Sequence, residues 1–234
     1  MPELFQSSNL HMSLVPLDQA AGGMMWGEFL TNRVAVIIAL VLLLVEILDI
    51  IRLAPALLRC VPLWKGNMEL EHSVSMARTR NTVAIVLALM VSIVADRFDV
   101  LNPSWRALVP PMWRIAVTIG LMTAFALLRR LLYLISPFRS KTAEYACTVR
   151  HTFYNYFILF AVLMIVTGVL LGAFKVPDAS VRAILLAEAA AVGLLSLLRT
   201  GQILRSRYGV FATILYLCAL EILPVAALIL TCTK

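Results

Sequence analysis

The chain has few charged residues for its length. Only 14% of its 234 residues are Asp, Glu, Lys or Arg, whereas 62% are hydrophobic and the mean hydropathy is +0.92. Ordinary soluble domains carry roughly a quarter charged residues and about half apolar ones. The composition therefore excludes an ordinary soluble domain and predicts a protein that lies within a lipid bilayer.

Cysteine and histidine are also scarce. The four cysteines have no CxxC spacing, and the three histidines lie outside the long apolar runs. Cys147 and His151 are four residues apart, but two ligands without a third make a weak metal site. The sequence also lacks HExxH and GxSxG motifs and a glycine-rich phosphate loop. We therefore expect no disulfide framework, no metal, no cofactor and no enzymatic activity.

Long apolar runs are what the sequence has instead. A helix needs about 20 mainly apolar residues to cross the hydrocarbon core. Three runs reach this length, and three shorter ones cross only if flanking arginines extend toward the interface. The six predicted spans cover approximately residues 34–51, 82–95, 115–128, 152–174, 183–198 and 208–230. The second and third either cross as a pair or form a re-entrant hairpin. The prediction is an all-α bundle of about six transmembrane helices, with residues 34–231 as one membrane domain after an N-terminal segment, residues 1–33.

The distribution of positive charge predicts the orientation. Thirteen Lys and Arg residues flank the connections after the first, third and fifth spans, and seven lie on the other side. Because cytoplasmic loops retain positive charge, both termini are predicted to be outside, which is the periplasm if the source is a diderm bacterium. The net charge of +7 suits anionic lipid head groups better than nucleic acid. We expect the bilayer and other membrane proteins as partners, and no nucleic acid.

Two acids near the inner end of the first span form one candidate site. An ionised side chain at mid-bilayer costs roughly 2.5 to 3.5 kcal/mol on insertion scales, so it needs a partner or a proton. Glu46 and Asp49 are three residues apart and share a helix face. We expect an inner-side charge cluster in which they meet Arg52, or Arg129 and Arg130 of the third span. The alternative is a proton or cation site.

Glu188 and Glu221 form the second candidate site. Both lie in the outer half of their spans or near the midplane, so they are candidates to face each other. Two carboxylates in one dry site cannot both ionise, so one would carry a proton, as in a proton relay. Two other outcomes are open. Each acid hydrogen-bonds a neighbouring helix, or Arg114 or Arg182 neutralises one of them.

Glu221 has unusual neighbours in the run "ILYLCALEILPVAALIL". Pro224 lacks an N–H, so the Leu220 carbonyl loses its helical donor, which predicts a kink and a polar notch beside Glu221. Cys218 lies one turn earlier and is predicted to be a buried small hydrophobe rather than a ligand or reactive thiol. One helical stripe is predicted to pack inward: Ile214, Leu217, Cys218, Glu221, Val225 and Leu228. The predicted intramembrane polar site comprises Glu188, Glu221, Cys218 and Pro224, with Glu221 protonated and hydrogen-bonded.

The segment "LYLCALEILP", residues 215–224, resembles the closing motif of a family of polytopic inner-membrane proteins from the Bacteroidota, a domain of unknown function. Seven of its positions carry the likeness: Tyr216, Leu217, Cys218, Leu220, Glu221, Leu223 and Pro224. The resemblance implies a multi-pass protein of the inner membrane. It brings no established activity and no catalytic residue.

Three functions remain open at this point. The leading hypothesis is a non-enzymatic component of envelope biogenesis or secretion that binds membrane proteins through helix faces. The alternative is a small proton-coupled transporter or proton-conducting subunit that uses Glu188 and Glu221, with Glu46 and Asp49 as an inner station. An intramembrane enzyme is the third, and it lacks an oriented base or nucleophile.

Overall fold

Six helices are long and apolar enough to cross a membrane in the computed structural model of this protein. The structure describes residues 26–62, 66, 67, 70, 73–101, 103, 106, 108–135, 143–206 and 208–233, and these residues contain no β-strand. The predicted all-α membrane bundle is therefore confirmed. Most of the predicted N-terminal segment, residues 1–25, lies outside the described residues, as do two of the three histidines, His11 and His72.

The helices follow one another in chain order and are numbered α1 to α6. Short 3-10 turns precede α1 (Trp26–Glu28) and α3 (Pro111–Trp113). The first five helices are α1 Leu30–Cys60, α2 Val74–Arg97, α3 Arg114–Ile135, α4 Ala143–Ala173 and α5 Asp178–Arg205. The sixth has three consecutive parts: α6a Val210–Tyr216, a π-helical turn Leu217–Ile222, and α6b Leu223–Thr233.

The second and third helices are longer than the spans predicted for them. At 24 and 22 residues and a rise of 1.5 Å each, α2 and α3 are about 36 and 33 Å long. Each is long enough to cross a hydrocarbon core of about 30 Å by itself. The predicted spans stopped at charged residues, whereas the helices continue through Arg80 and Arg129, which are buried inside the bundle. Similarly, α1 continues past Pro55 to Cys60.

Helix α2 lies at the centre of the bundle and α1 at its edge. More than half of the apolar window of α2, 56%, is buried, and this helix packs against α1, α3 and α4. Its core residues include Val83, Leu87 and Val91. Helix α5 packs on α4, and α6 packs on both α5 and α3. Only 6% of the apolar window of α1 is buried, so α1 presents most of its surface outward.

Because the helices alternate in direction, the bundle has two ends. We call the end with the connections after α1, α3 and α5 the basic end. The other, where α1 begins and α6 finishes, is the terminal end. At the terminal end, α2 and α4 are each followed by a residue in the left-handed conformation, Asp99 (φ 49°) and Lys175 (φ 53°), which is a usual way to stop a helix. An exposed ion pair of 3.3 Å between Arg97 and Asp178 links the two turns.

The first connection at the basic end folds back against α1 and α4. A Cβ atom on Gly66 would lie 2.9 Å from the carbonyl oxygen of Arg59, so only glycine fits this approach without a shift. Next to it, the side-chain oxygen of Asn67 accepts a hydrogen bond of 2.8 Å from the amide of Asn155 on α4. The connection is thereby held between the two helices.

Candidate functional site

Glu221 lies in the π-helical turn of α6. The N–H of Leu223 donates to the carbonyl of Cys218, five residues back, where a regular α-helix would bond four back. Pro224 follows directly and has no N–H for the Leu220 carbonyl, so the preceding turn is free to widen. The wider turn brings both Leu220 and Glu221 onto the buried face, each 5% exposed.

A buried ion pair joins Glu221 to Arg129 of α3. Nη1 of Arg129 donates to Oε2 of Glu221 and Nη2 donates to Oε1, each at 2.6 Å. The two side chains are only 6% and 5% exposed. This fork-to-fork geometry requires two carboxylate acceptors beside an arginine that is always charged, so Glu221 is ionised. The pair fastens α6 to α3 near the middle of the last span.

Aromatic side chains surround this pair. The Tyr133 hydroxyl, one turn beyond Arg129 on α3, donates to Oε1 of Glu221 at 2.7 Å. On the α4 side, the guanidinium carbon of Arg129 lies 3.6 Å from the ring centroid of Phe153, a cation–π contact. Tyr216 meets the Tyr133 ring edge-on, with the centroids 6.2 Å apart. Helices α3, α4 and α6 therefore all contribute to the enclosure of one charge pair.

The structure does not bring Glu188 and Glu221 together. Gly201 of α5 packs against Leu217 of α6, where an added Cβ would meet the leucine side chain at 3.3 Å. Counted from this contact toward the terminal end, Glu188 lies thirteen residues along α5 and Glu221 lies four residues along α6. At 1.5 Å per residue, their depths in the bundle differ by about 13 Å. Glu221 is neutralised by an arginine, as one alternative anticipated, but by Arg129 rather than Arg114 or Arg182. The expectation that Glu221 is protonated is wrong for the same reason.

Glu188 instead faces α4. The Thr167 hydroxyl lies 2.6 Å from Oε1 of Glu188, and Oε2 is buried without a hydrogen-bond partner among the described residues. This matches the alternative in which the acid hydrogen-bonds a neighbouring helix. One carboxyl oxygen is therefore left without a hydrogen-bond donor among the described residues.

The predicted inner-side charge cluster forms only in part. Asp49 and Arg52 lie 3.7 Å apart on exposed parts of α1. Glu46 is half-buried and makes no hydrogen bond with any residue that the structure describes. Arg129 is committed to Glu221 instead, and Arg130 points to the exposed side of α3. The arginines of α3 therefore do not join the acids of α1.

The inward stripe predicted for α6 is wrong in part. Glu221 is buried as predicted, but Cys218 is exposed and is a free thiol. Ile214 and Val225 are also exposed, at 55% and 41%. The π turn adds a residue to the helical repeat, so the buried face runs through Thr213, Tyr216, Leu220, Glu221 and Pro224. The notch beside Pro224 is an apolar groove against Phe125 of α3, not a polar one.

A second buried charge network, at the terminal end, was not predicted. Asp96 near the end of α2 is 2% exposed and accepts a hydrogen bond of 2.6 Å from Arg106. The hydroxyl of Thr118 on α3 donates to the same carboxylate oxygen at 2.9 Å, and the indole N–H of Trp26 donates to the other at 2.8 Å. Arg106 also lies 2.6 Å from Asp99. The sequence held one signal, an acid directly after the predicted span 82–95, with Arg106 ten residues later.

Metal ligands do not gather among the residues that the structure describes. No group of three His, Cys, Asp or Glu residues in that part of the chain has a spacing that suits a metal ion. The side chain of Cys147 lies outside the described residues, so its predicted proximity to His151 stays a prediction.

The two best-formed clusters of the candidate site each surround a buried acid with hydrogen-bond donors. Glu221 and Asp96 each accept at least three hydrogen bonds, and each has an arginine partner. Glu46 and Glu188 are the intramembrane acids with unused hydrogen-bonding capacity. No known family model, curated protein or solved structure matches this chain. The resemblance carried by residues 215–224 therefore stays a prediction.

Proposed function

We propose that this chain is a multi-pass protein of a bacterial inner membrane that acts as a non-enzymatic component of envelope biogenesis or secretion. In this role it binds other membrane proteins through α1. The single observation that carries the proposal is Glu46, a carboxyl group in the middle of the least buried helix. The resemblance of residues 215–224 to a Bacteroidota inner-membrane family supports the location.

Glu46 supports a partner on energetic grounds. It lies about midway along α1, whose neighbouring side chains Leu44 and Leu48 are 68% and 63% exposed. Placing a charged carboxylate at that depth costs roughly 2.5 to 3.5 kcal/mol on insertion scales. Its Oε2 is buried without a hydrogen-bond partner among the described residues, whereas the side chain as a whole is only half-buried. A polar group on a partner helix reaches the accessible part of this side chain, since polar contacts are a common way for transmembrane helices to associate.

The other intramembrane charges support a structural protein. Glu221 and Asp96 are saturated by arginine, hydroxyl and indole donors, so they hold helices together instead of presenting a reactive group. The excess of Lys and Arg at the basic end supports an orientation with both termini in the periplasm.

Site-specific photocrosslinking tests the proposal. The photoreactive residue p-benzoylphenylalanine replaces Leu44 or Leu48 of α1, and Leu194 of α5, which is 60% exposed, serves as the matched control. We expect both α1 positions to capture the same envelope or secretion protein in cells, and the α5 position to capture none of it. Glu46→Leu should abolish capture while Glu46→Gln, which still hydrogen-bonds, should retain it. Equal labelling of lipid from all three positions would contradict the proposal.

Glu188 favours a second candidate, proton-coupled transport. Its Oε1 accepts a hydrogen bond from Thr167, and its Oε2 is buried without a partner among the described residues, so this carboxyl group has an unused site at which a proton can bind. In liposomes that contain the purified wild-type protein, a pH gradient should then drive proton-coupled flux across the membrane. Glu188→Gln should abolish that flux without changing the amount of folded protein. Unchanged flux in Glu188→Gln would eliminate this candidate.

A further inference from the structure

A cavity of about 270 Å³ lies between α2, α3 and α4 in the half of the bundle nearer the basic end. Asn81 and Ile85 of α2 form one wall, Arg129 and Tyr133 of α3 form the facing wall, and Tyr154 belongs to the α4 side. A water molecule takes about 30 Å³ in the liquid, so the cavity has room for roughly nine waters.

The cavity reaches the middle of the bundle. The hydrogen bond between Thr118 and Asp96 fixes the level of α3 against α2. Eleven residues from this contact toward the basic end, α2 reaches Ile85 and α3 reaches Arg129, so these two residues lie at about the same depth. Ile85 is also eleven residues after the start of the 24-residue helix α2, which is about halfway along it. The deepest part of the cavity is therefore near the middle of a transmembrane helix.

The surface of α2 opens at this cavity, although α2 is otherwise the most buried helix. Ile85 is 73% exposed, whereas more than half of the apolar window of α2 is buried. Asn81, one turn nearer the basic end, is exposed as well. Because both residues line the cavity, their exposed surface belongs to its wall.

Polar side chains make water the favoured occupant. A long arginine side chain can extend to the membrane interface, but the short amide of Asn81 cannot, and it lies about 10 Å after the start of α2. Its oxygen accepts from Arg80 at 3.3 Å, and its N–H groups still need an acceptor, which lipid tails do not offer. Ionisable side chains inside transmembrane helices almost always face the bundle interior or a water-filled cavity, and Arg129 on the facing wall follows this rule.

Aromatic rings close the cavity at its deep end. The guanidinium carbon of Arg129 lies 3.6 Å from the ring centroid of Phe153, while Glu221 holds the same guanidinium with two hydrogen bonds of 2.6 Å. One turn further from the basic end, the ring of Phe125 packs on Phe153 with the centroids 6.3 Å apart. Apolar constrictions of this kind stop water. We call Arg129, Phe153 and Phe125 the floor of the cavity.

We propose that this cavity is an aqueous vestibule. Water and small hydrophilic solutes enter it from the basic end, reach the middle of the bundle and stop at the floor. Water therefore touches the Arg129 side of the buried ion pair, although the pair lies deep in a membrane protein. The vestibule is independent of the proposed docking of α1, since it lies between three other helices.

Cysteine accessibility in lipid nanodiscs tests the inference. The probe is sulfonatoethyl methanethiosulfonate, a charged thiol reagent that does not dissolve in hydrocarbon. Ile85→Cys reports on the vestibule, and Leu127→Cys is the matched control. Leu127 is 60% exposed, lies within about 3 Å of the same depth, and is rotated by about 200° from Arg129 on α3, so it faces away from the cavity. The background carries serine in place of all four native cysteines, which are Cys60, Cys147, Cys218 and Cys232.

We expect Ile85→Cys to react at least about tenfold faster than Leu127→Cys, because only the vestibule brings the charged reagent to this depth. Phe125→Cys, which removes one ring of the floor but leaves Phe153, should react as slowly as the control. Equal rates at Ile85→Cys and Leu127→Cys would overturn the vestibule. A Phe125→Cys rate equal to that of Ile85→Cys would overturn the closed floor. Elution on size exclusion verifies folding, and labelling in denaturant verifies that each thiol is present.

Hydroxyl-radical footprinting of the unaltered chain in nanodiscs gives an answer that needs no cysteine variant. Tyr154 on the cavity wall and Phe125 in the floor are both half-buried. We expect several-fold more oxidation at Tyr154, because radicals form in water and water stops above Phe125. Equal oxidation of the two rings would contradict the inference.

Discussion

Arg129 of α3 and Glu221 of α6 are 92 positions apart in the chain, and two hydrogen bonds of 2.6 Å join them inside the bundle. Removing only one partner of such a deeply buried ion pair is strongly destabilising, because the remaining side chain keeps its charge but has neither water nor a partner to stabilise it. A single substitution at these positions should therefore destabilise the protein more than the double substitution does.

Glu221→Gln should lower the free energy of unfolding by about 3 to 5 kcal/mol, because glutamine keeps the size of the side chain but leaves Arg129 unpaired. The double variant Arg129→Met/Glu221→Met removes both charges and should recover most of that loss. Denaturant unfolding of the full chain in detergent measures both. A Glu221→Gln variant as stable as the wild type would show that the acid is a neutral hydrogen-bonding group after all.

Asp96→Asn should destabilise less than Glu221→Gln, by about 1 to 3 kcal/mol, because Asp99 still provides a negative charge beside Arg106. Asp178→Asn is the control, since its ion pair with Arg97 is exposed and should be worth less than about 1 kcal/mol. The fluorescence of Trp26, which donates to Asp96, reports locally on the first change. Equal effects of the two substitutions would mean that the burial of Asp96 has no energetic weight.

Gly66→Ala should destabilise the protein by about 1 to 3 kcal/mol, because the added methyl group meets the backbone of Arg59 at 2.9 Å. Gly193→Ala in α5 has open space and should instead stabilise the helix by up to about 1 kcal/mol. Thermal unfolding followed by circular dichroism compares the two. If both alanines stabilise, the first connection does not approach α1 as described.

Thr167→Val should cost about 1 kcal/mol, because it removes the hydrogen bond to Glu188 and leaves a carboxyl group with no partner among the described residues. Adding Glu188→Leu should restore stability, since the double variant has no polar group left to satisfy. The same unfolding measurement separates the two variants. A double variant less stable than Thr167→Val would indicate that Glu188 has another partner.

Hydropathy was sufficient to predict six helices, because the cost of placing backbone and charge in lipid acts on each segment alone. The ends of the helices were harder to predict from the sequence. Arg80 and Arg129 were interpreted as boundaries, although both are buried within longer helices. An arginine in an apolar run can be a boundary or half of an ion pair, and only tertiary packing decides between them.

The partner of Glu221 was beyond the reach of the sequence for the same reason. Several arginines lie at suitable helix positions, and the rotation of α3 against α6 selects Arg129. The prediction that Cys218 is buried was wrong for a local reason, because a stripe drawn with 3.6 residues per turn does not hold across a π turn. The proline that accompanies this turn was visible in the sequence, but a kink and a widened turn have the same signature there.

The widened turn of α6 amounts to one surplus residue carried in the last helix. Deleting a single residue from Leu217–Ile222 would let the turn close into a regular α-helix, and α6b would keep its rotation about the helix axis, because the wide turn only absorbs the surplus residue. The ring of Pro224 would then meet the carbonyl four residues before it, as it does in any regular helix. The surplus residue therefore gives the final helix room for a proline without turning its second half.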